Sequence, residues 1–185
     1  MKKSKKTSKK SGRIAPKGFA GAVFSHGFKE INAKSLLAGT STLAILSYLA
    51  ELYKVEICFI SGSGLEGCAD TANSVIFIDK FCVKKNASIY STFFHELGHI
   101  VARREGKFRA FHSISKESSL KDAREYKRTC VAAELYVDKW AEKEMKLHLP
   151  YISYSSSYTT ANDKKWIRDN AKAVLADLNF DQLVS

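Results

Sequence analysis

Apolar positions along the chain fall into a few clear periodicities. From Lys29 to Tyr53, Leu36, Leu37, Leu43, Ile45, Leu46, Leu49 and Leu52 recur at near-helical spacing with Ala between them. This predicts one helix, weakened in its first half by Gly39. Val55 to Ile60 is a β-rich run stopped by Ser61-Gly62-Ser63-Gly64, and Ser74 to Asp79 is a second such run. Both read as strands. Cys68 to Asn73 reads as the loop between them, while Phe81 to Val83 either extends the second strand or forms a short third. Asn86 and Ser88 are N-cap residues for a helix running to about Arg104, ended by Glu105-Gly106. A polar connection over 107–119 leads to a long helical pattern from about Leu120 to Leu147, closed by Pro150. Tyr151 to Thr160 is a Ser/Tyr/Thr-rich loop, and Ala161 to Leu178 reads as a final amphipathic helix. The order of helix, two or three strands, then helices predicts an α+β fold in which a small sheet packs on helices.

Composition changes this picture mainly at the N-terminus. The chain has 185 residues and a net charge of +11. Residues 1–18 hold eight of the thirty Lys and Arg and no acidic residue, so the remaining 22 basic and 19 acidic side chains leave a body of only +3. No apolar side chain lies between Met1 and Ile14, and this stretch is expected to be a disordered basic tail ahead of a domain at 19–185. It suits an electrostatic arm for nucleic acid or a solubilising tail. It is not a secretory signal, because no sustained apolar stretch follows it. The uncharged run Ser35 to Ala50 is too short and too rich in Ser and Thr for a membrane span. Cys58, Cys68, Cys82 and Cys130 form no C-x-x-C pair and are expected to be reduced thiols in a cytoplasmic setting.

Residues 95–99 are His-Glu-Leu-Gly-His. On a helix, His95 and His99 lie one turn apart on one face, which lets two imidazoles reach one Zn²⁺ at about 2.0–2.1 Å. Glu96 is offset by one residue, beside the metal rather than on it, where it can take a proton from the attacking water. Phe93, Leu97, Ile100 and Val101 form an apolar face on the other side. By chance, such a string arises in fewer than roughly one chain in a hundred of this length.

A catalytic zinc site takes three protein ligands and keeps one position open. The metzincin pattern requires Gly at 102 and His at 105, where this chain has Ala102 and Glu105. A distant carboxylate is the other solution. Glu134 lies in the next long helix among Val131, Ala132, Ala133, Leu135 and Val137, an apolar setting for an acid, and Asp138 follows at i+4. A helix hairpin would bring Glu134 to the metal and let Asp138 accept the free ring N–H of one histidine. The plainer reading of Glu134 is a solvated helix charge, which suits Glu142 and Glu144 better.

Strand, Ser-Thr-Phe-Phe-His-Glu-Leu-Gly-His, then Glu134-x-x-x-Asp138-x-Trp140-Ala141 resembles the gluzincin-type metallopeptidases, in particular the ImmA/IrrE-like group. That group has a pattern like E-x-E-A-(D/N)-x-F-A on its later helix. Glu134, Asp138, Trp140 and Ala141 match it, whereas Tyr136 and Val137 depart from it. The resemblance covers about residues 33–145 and implies a zinc metalloendopeptidase acting on a protein substrate, such as a transcriptional repressor. The competing expectation is a non-catalytic, metal-containing regulatory protein that binds nucleic acid through the basic tail. The intact Glu96 favours hydrolysis.

The remaining candidates are weaker. His112 could serve as a donor in the cleft but suits a surface loop, and His26 and His148 have no partner pattern. Tyr151, Tyr154 and Tyr158 are candidate phenols for the oxyanion. Cys130, one turn before Glu134, is better read as a buried thiol than as a ligand. The strand just before the active-site helix is expected to offer an edge for an extended peptide.

Overall fold

A computed structural model describes residues 29–38, 40–61, 66–84, 86–109, 120–155, 165 and 167–169. The basic segment 1–18, His26, His112 and Tyr158 lie outside the described residues. So does most of the expected helix over 161–178, of which residues 165 and 167–169 are helical.

The fold is α+β, a four-stranded sheet packed on helices. Its first element departs from the periodicity. Lys29–Ile31 is strand β1, and the expected single helix is split into α1 (Ala33–Leu36) and α2 (Thr42–Tyr53). The break is hydrogen-bonded in place. The backbone N–H and hydroxyl of Thr40 both donate to Leu37 O, at 3.2 and 2.9 Å, and the Ile45 N–H donates to Ser41 O to open α2. Lys54, in the left-handed conformation at φ 54°, ends α2, with Val55 N–H returning to Ala50 O.

β2 (Glu56–Ser61) and β4 (Val75–Asp79) form a parallel central pair. β1 joins the outer side of β2 antiparallel, and β3 (Gly67–Asp70) joins β4 antiparallel, giving the order β1-β2-β4-β3. β3 lies where a loop was expected. Gly-Cys-Ala-Asp carries little strand propensity, and its pairing comes from the β4 edge and a tight return. In that return the Asp70 carboxylate accepts the N–H groups of Ala72 and Asn73 at 3.0 and 3.1 Å. Lys80–Lys84 is a 3₁₀ turn rather than a strand.

Ile57, Phe59, Ile76 and Ile78 point to the helical side of the sheet, joining Leu46 and Leu49 of α2 in the main core. Cys58, Ile60, Val75 and Phe77 are buried on the opposite face. Each such side chain contributes roughly 1.5–3 kcal/mol of burial. α3 (Asn86–Arg104) packs on β3 and β4 and, on its other side, on α4 (Leu120–His148). The two helices run antiparallel, since Ser91 meets Met145 while Gly98 meets Val137. Phe93, Phe94, Leu97 and Ile100 of α3 are fully buried. Arg104, at the end of α3, donates to the carbonyls of Tyr53 and Lys54 and to Ser74 Oγ at 2.7–2.9 Å. It thereby ties α2 and the β3–β4 return to the helix that carries the histidines. Among the described residues, no helix is long and apolar enough to cross a membrane.

Candidate metal centre

The α3–α4 hairpin brings three separated residues together. A ring nitrogen of each of His95 and His99 and a carboxylate oxygen of Glu134 all lie within 4.8 Å of one another. His95 Nε2 is 3.1 Å from Glu134 Oε2, and His99 Nε2 is 3.5 Å from Glu134 Oε1. Ligand atoms held tetrahedrally at about 2.0–2.1 Å from one ion are themselves about 3.4 Å apart, so these spacings fit a common ion. The imidazole planes are nearly perpendicular, at 80° with centroids 5.1 Å apart.

Close helix packing makes this convergence possible, and Gly98 sits at its tightest point. A Cβ there would lie 2.9 Å from Val137 Cγ1 and 3.1 Å from the Trp140 ring. Val137 is fully buried one residue before Asp138, so the same contact sets the depth of the acidic face of α4.

The electrostatics follow from the burial. Desolvation opposes the charge on Glu134, but His99 and His95 outweigh it and hold the carboxyl well below the usual range. Burial likewise opposes a proton on His99, and the adjoining Glu134 overcomes it, raising His99 above its ordinary value of 6.5. Glu96 is buried beside the trio. Desolvation raises its pKa, against the pull of His95 and His99, which favours a group that accepts a proton. Asp138 Oδ1 lies 3.9 Å from His95 Nδ1, on the ring edge away from Glu134.

Other candidates fall elsewhere. Burial pushes the Cys130 thiol up to about 11, and it is not among the converging donors. His148 stacks on Phe94 and lies 2.7 Å from the Tyr53 hydroxyl. Glu144, read as a solvated charge, instead accepts a 2.5 Å bond from that hydroxyl. Tyr151 is exposed, while the Tyr154 phenol donates to Asp138 Oδ1 at 2.7 Å, on the Nδ1 side of His95. The expected peptide edge also moves. The strand immediately before α3 is β4, which is interior, and the edge beside α3 is β3.

Sequence reasoning missed Gly67. A Cβ there would come within 2.5 Å of Thr92 Cγ2 and 3.3 Å of Glu96 Cγ, so only glycine lets β3 press against α3 beside Glu96. The signal available was a glycine at the head of the four-residue stretch Gly67–Asp70, which leads into a turn.

Compared with known proteins, the chain matches no family model, no curated protein and no solved structure.

Proposed function

We propose that this chain is a zinc-dependent metallopeptidase of the gluzincin type, similar to the ImmA/IrrE-like group. The observation that carries the reading is the convergence of His95, His99 and Glu134 from two helices, with Glu96 buried beside them. Two imidazoles and one carboxylate form a donor set that suits zinc and leaves room for a fourth ligand. Zinc held there supplies Lewis acidity, which polarises a carbonyl and acidifies water.

The chain's own residues do the rest. Glu96 accepts a proton from the attacking water and hands it to the departing amine. Asp138 faces Nδ1 of His95 and favours the tautomer that keeps Nε2 available to the ion. β3 ends the sheet among the described residues, so an extended substrate can add to it as a further strand alongside α3. A regulatory protein such as a repressor is the substrate class suggested by the resemblance.

The test is hydrolysis of a mixed peptide library by the zinc-loaded chain and by Glu96→Gln. The reading expects cleavage products from the first only. Equal cleavage by both, or none by either with zinc bound, counts against it.

A further inference from the structure

After α4 the chain reverses. Leu149 N–H donates to Met145 O at 2.7 Å, and Ile152 N–H donates to Leu149 O at 3.0 Å around Pro150. The returning segment then crosses back onto the helix hairpin. Ile152 and Tyr154 pack against the main core, and Ser155 N–H donates to Ser91 Oγ, itself buried on α3, at 3.0 Å. Tyr154 is thus held from both sides, and its hydroxyl donates to Asp138 Oδ1 at 2.7 Å.

Asp138 is buried, and the oxygen that accepts the phenol proton is the one 3.9 Å from His95 Nδ1. That separation is too long for a hydrogen bond. Asp138 therefore influences the imidazole only while its carboxylate is held facing the ring. A free Asp side chain turns about two torsions, and the Tyr154 bond restrains them.

We infer that Tyr154 is a positioning residue of the metal centre: by holding the Asp138 carboxylate toward Nδ1 of His95 it electrostatically favours a proton on that nitrogen, and so strengthens the hold of Nε2 on the ion. The inference rests on the metal-centre reading above. It assigns the phenol to support of a ligand and not to the oxyanion.

The experiment is a double-mutant cycle on the full chain with Tyr154→Phe, Asp138→Asn and both together. Its readouts are the zinc dissociation constant, by competition with a chromophoric chelator, and the melting temperature of the metal-free chain. Tyr154→Phe removes one oxygen and keeps the ring's packing. It should weaken zinc roughly 3–10-fold, and Asp138→Asn roughly 10–100-fold, in the range typical of groups that orient a ligand. In the Asp138→Asn background, Tyr154→Phe should have almost no further effect on zinc.

A merely structural tyrosine would lower the melting temperature and leave zinc affinity unchanged. That result, or an equal effect of Tyr154→Phe in both backgrounds, overturns the inference while leaving the metal centre standing. A wild-type chain that takes up no zinc overturns the metal-centre reading, and this inference with it.

Discussion

α4 supplies the carboxylate to two acid-and-histidine clusters about three turns apart, and they differ in kind. At one, Glu134 meets His95 and His99 from α3, with Glu96 alongside. At the other, Glu144 and His148 lie one turn apart on α4, with a 3.6 Å ion-pair contact, and both close on the Tyr53 hydroxyl. Both are partly buried and both contain a carboxylate and an imidazole. In the second, a phenol stands between the two groups, so their capacity is spent on a link between α2 and α4. In the first, one oxygen and two nitrogens converge from two helices at the spacing of a metal's ligand shell. Residue type alone does not separate the clusters. What separates them is arrangement: a phenol lies between carboxylate and imidazole in the second, whereas the first draws its donor atoms from two helices to within 4.8 Å of one another.

The largest effect that would break this comparison is at the two glutamates. Glu134→Ala leaves two imidazoles and should reduce zinc affinity far beyond the roughly 10–100-fold expected for an orienting residue. Glu144→Ala should keep wild-type zinc affinity and cost about 1 kcal/mol of stability through the lost Tyr53 bond. Isothermal titration with zinc and chemical denaturation read the two quantities, and an exchange of the outcomes would mean that the clusters are misassigned.

Glu96→Gln sharpens the first cluster internally. It keeps size and burial but removes the proton acceptor, so zinc should bind normally while peptide hydrolysis falls by roughly 10²–10⁴. Loss of the metal in this variant would place Glu96 among the ligands.

Gly98→Ala tests the packing that creates the convergence. The added methyl meets Val137 and Trp140 at under 3.2 Å and should cost about 1–3 kcal/mol, read from urea unfolding of the metal-free chain. Unchanged stability would mean that the helices separate freely at this point.

The smallest effect is pH dependence. In the metal-free chain Glu134 holds His99 above its ordinary value of 6.5. The protonated pair therefore stabilises the metal-free fold at lower pH, and that share is lost as pH rises through the raised value. Zinc must displace this proton, so affinity should begin to fall on acidification at a pH above 6.5. A chelator competition series across roughly pH 6–8 reads this. Affinity that stays flat until well below 6.5 would contradict the coupling.

The converging donor group was more legible in the sequence than the scaffold around it. His95, Glu96 and His99 are local, because helical spacing alone puts the two imidazoles on one face. Glu134 was readable from an acid set among Val131, Ala133 and Val137, and Asp138 from its position one turn on. β2 and β4, the central strands, showed as apolar runs because they are buried on both faces. The edges were not legible. Lys29–Ile31 and Gly67–Asp70 have no pattern of their own and become strands because a neighbour offers hydrogen bonds. Nor does the sequence show that Tyr154 faces Asp138, since that contact depends on a chain reversal after Pro150 and on the Ser155–Ser91 bond. Local spacing is written in the chain, while contacts set by the path of a turn are not.

The central claim is that one zinc is held by His95, His99 and Glu134. Metal analysis of the purified chain after exhaustive dialysis, beside His95→Ala/His99→Ala prepared identically, tests it most directly. The account predicts about one zinc per wild-type chain and almost none in the double variant. Full zinc occupancy in the double variant, or none in the wild type even after zinc is supplied, would contradict it.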